Sequence, residues 1–206
     1  MEIEVKYAAA EPLVRALFGG ALGGTMTPPR EIEMEACYYD TPRGEFSDLG
    51  LALRFRREGE NGVCALKGGS MENGLARRLE IEVAAGAPEE GFRRLAAAEG
   101  IPPRAAALLQ TGELLPRAEM RFTRRAALLQ KEGLTAELAY DRGVICAGGR
   151  EEPIDEIELE LKTGDEAAFL ALIARAEEQL PLKRFQKSKY ARAKALMNGG
   201  PLHGRP

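Results

Sequence analysis

The sequence predicts an α+β fold: a closed eight-stranded antiparallel β-barrel, or tunnel, with a charged lumen and helices wrapped around it. Three observations lead to this prediction. Segments that alternate strictly between charged and apolar residues recur along the chain, as in antiparallel strands with two different faces. Amphipathic segments that suit helices lie between and after them. The charged faces carry blocks of like-charged residues, whereas a solvated sheet surface usually carries mixed polar residues.

The strand predictions follow from the alternation. In the first segment Glu2, Glu4 and Lys6 share one face, and the residues between them are apolar. The alternating segments are 2–7, 31–40, 51–57, 63–67, 76–83, 134–141 and 154–162. The stretch 119–130 is long enough for a further strand, but its two faces are not clearly separated, so Arg121 and Arg125 are possible lumen residues. Gly-containing connections at 58–62 and 130–133 are typical of hairpins.

The helix predictions follow from start and stop signals. The first helical segment has Pro12 in its first turn and ends before Gly19-Gly20. The second opens with Pro88 and two glutamates, which favour a helix start. The predicted helices span 11–18, 88–98, 103–110, 165–178 and 186–197. Residues 1–197 are expected to form one domain, and 198–206 a flexible tail or linker.

The orientation of the charged faces decides the function that the pattern suggests. An ordinary antiparallel sheet turns its charged face to water. Here like charges lie two residues apart on several strands, as at Arg54 and Arg56, and such repulsion is best tolerated opposite counter-charges or a ligand. A closed barrel would place these blocks in its lumen. Paired arginines suit phosphate oxygens and clustered carboxylates suit a hard divalent cation, so the pattern favours a metal–polyphosphate complex.

Composition and charge exclude several classes of protein. The chain has 206 residues, 45% of them hydrophobic and 30% charged, which is too apolar for a disordered chain. The 29 basic and 32 acidic residues give a net charge of −3, which excludes the broad basic surface of a duplex-binding protein. With no tryptophan and few aromatic residues, a platform for stacking nucleic-acid bases is not supported either.

The remaining residue counts point to a reduced, cytoplasmic protein. No apolar run reaches the ~18–20 residues that span a bilayer, and the acidic N-terminus is unlike a signal peptide. Cys37, Cys64 and Cys146 are scattered and lack zinc-ligand spacing. The single histidine, His203, lies in a Gly/Pro-rich tail, so chemistry that depends on a histidine base is not expected.

An ordered series of motifs resembles a known family. Glu2-x-Glu4-x-Lys6 resembles the ExExK signature of the CYTH superfamily, the triphosphate tunnel metalloenzymes. The further matching segments are Tyr38-Tyr39-Asp40-Thr41-Pro42, Gly50-Leu51-Ala52-Leu53-Arg54-Phe55-Arg56, Lys67, Arg78-Leu79-Glu80-Ile81-Glu82, Arg124, Glu156-Ile157-Glu158-Leu159-Glu160 and Ser188-Lys189. The subgroup that the chain most resembles is the bacterial inorganic triphosphatases, whose CYTH domain often precedes a CHAD domain. Because 206 residues leave no room for a CHAD domain, a stand-alone protein or an excised N-terminal half is expected.

The resemblance implies roles for particular residues. The implied ligands of Mg²⁺ or Mn²⁺ are Glu2, Glu4, Glu156, Glu158 and Glu160, with the choice between Glu156 and Glu160 left open. The implied phosphate-binding residues are Lys6, Arg54, Arg56, Lys67, Arg78, Arg124 and Lys189. Glu80 or Glu82 would orient or deprotonate the attacking water, and Lys6 is counted with them as catalytic.

The expected function is metal-dependent hydrolysis of inorganic triphosphate to pyrophosphate and phosphate by direct in-line attack of water. The expected partner is triphosphate or another short polyphosphate, with no nucleic acid and no membrane; the oligomeric state is not predicted. The alternatives are a hydrolase or cyclase that acts on an organic triphosphate, such as thiamine triphosphate or ATP, and a non-catalytic polyphosphate-binding module. A P-loop is not expected, because the glycine spacing around Lys67 does not fit GxxxxGK[ST].

Overall fold

The computed structural model describes residues 2–72, 75–131 and 133–199, with only the backbone of 70–72, 77 and 78. In these residues the chain forms nine strands and six helices. The strands are β1 (Glu2–Ala8), β2 (Thr25–Met26), β3 (Arg30–Asp40), β4 (Leu51–Glu58), β5 (Asn61–Glu72), β6 (Leu75–Ala84), β7 (Leu115–Lys131), β8 (Leu134–Ala147) and β9 (Arg150–Thr163). The helices are α1 (Glu11–Phe18), α2 (Glu45–Asp48), α3 (Pro88–Ala96), α4 (Pro103–Thr111), α5 (Glu166–Gln179) and α6 (Lys189–Met197).

The strands belong to one antiparallel sheet. Their order within the described residues is β2-β7-β3-β4-β5-β6-β1-β9-β8, and β7 pairs with β8 in addition. The long strand β7 pairs with β3 along one edge and with β8 along the other, so the sheet is strongly curled. The expected α+β class with an antiparallel sheet is therefore confirmed.

The local signals in the sequence explain most element boundaries. Pro12 and Pro88 lie in the first turns of α1 and α3, as predicted. The last helix begins at Lys189, later than the predicted 186, because the Ser188 hydroxyl caps it by accepting a hydrogen bond from the Ala191 amide at 3.2 Å. The short helix α2 follows Gly44, whose backbone is left-handed, and was not predicted from the sequence.

Two apolar cores lie on the outer, convex face of the sheet. Residues of β1, β8 and β9 pack against α1 and α5 around Val5, Leu17 and Phe169. Residues of β4 and β5 pack against α3 and α4 around Leu66 and Leu95. These helices cover the apolar strand faces, as the sequence predicts.

A third apolar core lies on the concave face. Met34, Phe122 and Ile154 point into the curl of the sheet and pack against Ala193 and Leu196 of α6. The last helix therefore lies against the concave face and fills part of it with apolar side chains. The rest of that face is left for the charged residues described next.

The predicted tail falls mostly outside the described residues. Helix α6 ends at Met197, and of the expected tail 198–206 only Asn198 and Gly199 are described. Within the described part of the chain, no helix combines the length and the apolar character needed to cross a bilayer.

Candidate active site

A cavity of about 620 Å³ lies on the concave face of the sheet. Its lining combines charges of both signs with the apolar residues next to α6. The charged lining residues are Glu2, Glu4, Lys6, Arg30, Arg54, Arg56, Glu58, Lys67, Glu80, Glu82, Arg124, Glu137, Glu158, Glu160, Lys162, Lys189 and Lys194. The charged faces of β1, β4, β6 and β9 therefore point into the concavity, whereas on β3 the apolar face lines the cavity and Glu31, Glu33 and Glu35 are exposed on the other side.

Strand register brings acids and bases together on this face. In the antiparallel pairing of β1 with β9, Lys6 lies opposite Glu158 and Glu4 lies opposite Glu160. In the pairing of β5 with β6, Lys67 lies opposite Glu80. Because directly opposed residues on one face are in contact distance, two of these pairings place a lysine beside a glutamate, whereas the pairing of Glu4 with Glu160 places two carboxylates side by side.

One buried network surrounds Lys189 at the start of α6. Its ammonium donates to Asp141 at 2.7 Å, to Glu156 at 2.5 Å and to Glu158 at 2.8 Å. The ammonium of Lys6 donates to Glu158 as well, and the guanidinium of Arg124 binds Asp141 through two hydrogen bonds of 2.7 Å. Three bases from three elements thus converge on the same carboxylates.

The network controls the protonation of its members. Burial opposes ionisation of Glu158, but Lys189, Lys6 and Arg124 outweigh it and hold the pKa of this carboxyl well below its usual value. Burial likewise opposes the charge of Lys6, but neighbouring carboxylates, led by Glu158, raise the pKa of its ammonium. Both groups are therefore charged at neutral pH, and Lys6 is not a ready proton acceptor.

A second network joins β4, β5 and β6 on the other side of the cavity. Arg54 lies 3.1 Å from Glu82 and 3.5 Å from Glu80. Lys67 lies 2.7 Å from Glu80 and 3.1 Å from Glu2. The carboxylates of Glu2, Glu80 and Glu82 therefore bind two of the predicted phosphate-binding residues. These two residues are Arg54 and Lys67.

The guanidinium group of Arg56 is crowded by two neighbouring guanidinium groups. Burial, followed by the positive charge of Arg54 and then of Arg124, lowers the pKa of Arg56 in spite of the nearby Glu58. The Nε atoms of Arg54 and Arg56 are buried and have no hydrogen-bond partner within the described part of the chain. Such donors are suited to an additional anion.

A group of carboxylates is crowded in the same way. Burial, followed by the charges of Glu2 and Glu137, raises the pKa of Glu160 although Lys162 opposes the shift. Lys162 lies 3.0 Å from Glu160. Crowded carboxylate oxygens are the ligands that a hard divalent cation prefers, so the donor set here fits Mg²⁺ or Mn²⁺.

Another acidic group is already neutralised. Carboxylate oxygens of Asp141, Glu156 and Glu158 lie within 4.8 Å of one another, close enough to share a metal ion. The Lys189 ammonium, however, binds all three of these residues. A metal ion at this position requires Lys189 to move, whereas one beside Glu2 and Glu160 requires these carboxylates to exchange Lys67 and Lys162 for the metal.

The structure brings most of the predicted site residues into one cavity. The predicted residues that line it are Glu2, Glu4, Lys6, Arg54, Arg56, Lys67, Glu80, Glu82, Arg124, Glu158, Glu160 and Lys189. Glu156 is fully buried behind Lys189 and does not line the cavity among the described residues. Arg78 lies opposite Glu2 in the strand register, but its side chain is outside the described residues.

Two arginines that the sequence left open lie outside the cavity. Arg125 stacks on Phe18 of α1 at 4.5 Å from the ring centroid, on the convex face. Arg121 is exposed and lies near Cys146. Both occupy odd-numbered positions of β7, whereas the inward-pointing residues of this strand, such as Phe122 and Arg124, have even numbers.

Several charged residues of the site were not selected from the sequence. Asp141 and Glu137 share the charged face of β8, and their alternation was the available signal. Arg192 follows Lys189 by one turn of α6 and binds Glu152 at 2.5 Å and Glu156 at 2.8 Å. Nothing in the local sequence pairs Arg192 with β9, since that contact depends on how the helix docks.

The sequence and the fold identify the family. The chain is a curled-sheet α+β protein with mixed charges on its concave face. Residues 1–193 match the CYTH domain, and the chain belongs to the CYTH domain family.

Individual relatives agree with this assignment. An inorganic triphosphatase of Haemophilus influenzae is 29% identical over 184 residues, which are 89% of this chain and 50% of that protein. The chain thus spans half the length of this curated relative. A Hippeastrum adenylyl cyclase candidate, described as having a dominant triphosphatase activity, has a structure with a TM-score of 0.66, 21% identity and 98% coverage of both chains. The PH1819 protein of Pyrococcus horikoshii has a TM-score of 0.56 and 18% identity, with coverage of 93% of this chain and 97% of that one.

Proposed function

We propose that this chain is a metal-dependent triphosphatase that hydrolyses inorganic triphosphate to pyrophosphate and phosphate. The observation that carries the proposal is the crowding of Arg54, Arg56 and Arg124 around one cavity, with buried Nε donors left over. A ligand with several adjacent anionic groups would relieve this crowding. The Haemophilus influenzae relative, named an inorganic triphosphatase, supports the same activity.

We infer that the eight longer strands close into a barrel around the substrate and that residues 1–197 form one domain. The pairings of β7 with β3 and with β8 support closure, because they give each of these strands a neighbour on both sides. A closed barrel surrounds the substrate with bases and limits the access of bulk water.

Metal ligands are assigned from the crowded carboxylates. Glu2, Glu4 and Glu160 would hold Mg²⁺ or Mn²⁺, with Glu137 nearby, while Glu156 and Glu158 bind Lys189 until the substrate enters. A bound divalent cation neutralises phosphate charge and acts as a Lewis acid. Should Lys189 move onto a phosphate oxygen, Glu156 and Glu158 would become available as well.

Substrate binding exchanges partners within the cavity. The ammonium and guanidinium groups now bind carboxylates of the chain and would turn to phosphate oxygens. The proposed phosphate-binding residues are Lys6, Arg54, Arg56, Lys67, Arg78, Arg124 and Lys189. Because those of them whose side chains the structure describes are buried or half-buried and are held by carboxylates, little further side-chain ordering is required at the moment of binding.

The proposed chemistry is a direct in-line displacement. A water molecule attacks the terminal phosphorus, the bridging P–O bond breaks, and its electron pair leaves on pyrophosphate. Burial favours a higher pKa for Glu82, but its contact with Glu80 and the charges of Arg54 and Arg56 outweigh burial and lower the pKa below its usual value. Glu82 is therefore ionised and can accept a hydrogen bond from the water. The water proton leaves to Glu82, Glu80 or solvent. Lys6, whose pKa is raised, stabilises negative charge and does not accept the proton.

The proposal is tested by measuring phosphate release from tripolyphosphate, ATP and thiamine triphosphate with Mg²⁺ and with Mn²⁺. We expect tripolyphosphate to be the preferred substrate and Glu4→Gln to lower kcat/KM by about 100-fold or more. Glu178→Gln, on the exposed side of α5, is the matched control and should keep full activity. Equal activity of Glu4→Gln would contradict the assigned metal site.

An organic triphosphate is the second candidate because an aromatic pair lines the cavity. Tyr190 of α6 stacks on Tyr38 with a centroid distance of 4.5 Å and an interplanar angle of 13°. The adenine ring of ATP or the thiazole ring of thiamine triphosphate could contact the edge of this aromatic pair. Preference for ATP or thiamine triphosphate in the same assay would favour this candidate, and tight binding of tripolyphosphate without turnover would favour a binding module.

A further inference from the structure

Lys189 and Arg192 lie one turn apart on the buried face of α6. Both are charged, and their exposed fractions are only 9% and 2%. Residues three apart on a helix point in the same direction. Both side chains therefore reach β9, but only Lys189 lines the cavity among the described residues.

The two bases share one carboxylate. Arg192 donates from Nη1 to Glu156 Oε2 at 2.8 Å, and Lys189 donates from Nζ to Glu156 Oε1 at 2.5 Å. Glu156 is fully buried, so its orientation is fixed by these two partners. A change in the Arg192 contact is therefore transmitted to the group that holds Lys189.

Arg192 is anchored at two further points of β9. Its Nε donates to Glu152 at 2.5 Å, and its Nη2 donates to the backbone carbonyl oxygen of Pro153. Its guanidinium also lies 5.1 Å from the centroid of the Phe185 ring, in the segment that precedes α6. A planar guanidinium with three acceptors has a single orientation, which a flexible ammonium could not reproduce.

We propose that Arg192 is a positioning residue for the triphosphatase reaction. By bridging Glu152, Pro153 and Glu156, it fixes the depth at which α6 docks and thereby places the Lys189 ammonium beside Asp141 and Glu158 in the cavity. Arg192 acts through Lys189 and does not touch the substrate. This inference rests on the proposed function, because its test measures triphosphatase activity.

A double-mutant cycle tests the inference in the full chain. We expect Arg192→Met to lower kcat/KM for tripolyphosphate by roughly 10–100-fold, as the loss of a supporting contact around a site commonly does. Lys189→Met should lower it by at least as much, and adding Arg192→Met to Lys189→Met should have no further effect. Arg192→Lys should recover only part of the activity. Additive effects of the two substitutions would overturn the inference.

A control separates positioning from general stability. Arg184→Met removes another inter-element ion pair, in which Arg184 binds Glu177 at 2.6 Å outside the cavity, and should leave kcat/KM unchanged. Circular dichroism and urea unfolding establish that each variant is folded. If Arg192→Met unfolds, the cycle is repeated with Glu152→Gln, which keeps Arg192 but removes the charge that anchors it.

The wild-type measurement distinguishes failure of the proposed function from failure of the inference. If wild type binds tripolyphosphate without turnover, the proposed function fails, and the cycle is run on the dissociation constant measured by calorimetry. The same non-additive pattern is then expected. If wild type turns over and Arg192→Met matches it, only the inference is overturned. If wild type neither binds nor hydrolyses tripolyphosphate, both are overturned.

Discussion

The charged side chains of the cavity are bound to one another. Glu158, for example, holds Lys6, Lys189 and Arg124 while it is itself buried. Buried ion pairs add little net stability, since the desolvation of both partners offsets their attraction. Removal of one partner is nevertheless costly, because the other charge is then buried alone. Such an arrangement is better explained by ligand binding than by stability.

The lowered pKa of Glu158 predicts how stability depends on pH. Because the folded-state pKa lies well below the usual value of 4.5, the unfolded chain binds more protons in this range, and the stabilisation is lost as pH falls below about 4.5. We expect the free energy of unfolding of wild type to fall with pH there. Glu158→Gln should be less stable than wild type at pH 7, and the difference should shrink on acidification. Urea unfolding from pH 7 to pH 3 measures this.

The control for this prediction is Glu178→Gln on the exposed side of α5. Its offset from wild type should be small and independent of pH. A pH-independent offset for Glu158→Gln would contradict the assigned protonation behaviour. On the alkaline side, Lys189 has a raised pKa and its stabilisation should persist below pH 10.5, so a plateau is expected between the two limits.

At the scale of elements, β7 shows where the sequence pattern was insufficient. Its inward residues Met120 and Phe122 are apolar because they pack under α6, whereas its inward Arg124 belongs to the charged cavity. One face of the strand thus changes character along its length, so alternation could not separate the faces. β1, in contrast, is charged on one face and apolar on the other over residues 2–7, and for that reason its site residues were predictable.

Residues of the site that depend on docking were not predictable. Glu152 and Arg192 meet only because α6 docks against the concave side of β9. The sequence shows the charged helix and the acidic strand but gives no distance between them. In contrast, Glu2, Glu4 and Lys6 repeat every second residue on one strand, which fixes their common face directly.

The pairing of β7 with β8 leads to a prediction about Gly143. A Cβ at this position would lie 2.1 Å from the Arg121 carbonyl oxygen and 2.5 Å from the Phe122 Cα atom. Because backbone atoms cannot move aside locally, we expect Gly143→Ala to destabilise the protein by roughly 1–3 kcal/mol. Urea unfolding of the variant measures the change.

Gly86→Ala provides the comparison. The atom nearest to its added Cβ is Glu90 Oε2 at 3.5 Å, which is an ordinary van der Waals distance to the end of a side chain. The free energy of unfolding should change by less than about 0.5 kcal/mol. Equal effects of the two substitutions would show that the close approach of β7 and β8 at Gly143 is not a constraint on the fold.

At the scale of the whole molecule, the small net charge conceals a strongly organised distribution. The 29 basic and 32 acidic residues nearly cancel to −3, yet many of them face each other across one cavity. The small net charge thus results in part from acidic and basic residues that neutralise one another inside the cavity. Binding of a metal together with a polyanion preserves this balance, whereas binding of either alone disturbs it.

This balance predicts a cooperative effect of ligands on thermal stability. Tripolyphosphate together with Mg²⁺ or Mn²⁺ should raise Tm by roughly 5–10 °C at about 100 times the dissociation constant, and each component alone should raise it less. Scanning calorimetry measures the shift, with Glu82→Gln, which keeps the assigned metal ligands, used to limit turnover. EDTA should reverse the metal-dependent part. A shift of equal size with sulfate at the same ionic strength would contradict a specific polyphosphate site.

The pairing of β1 with β9 has a consequence for how the protein acquires its fold. β1 is synthesised first, but one of its two neighbours, β9, begins only at Arg150. Contacts so distant in sequence are slow to form, because the entropy of closing a long loop is lost before the contacts contribute any stabilisation. During synthesis Glu4 and Lys6 therefore leave the ribosome long before their partners on β9 exist. We therefore expect the part of the cavity between β1 and β9 to assemble late, and until then Glu4 and Lys6 lack the neighbours that β9 supplies.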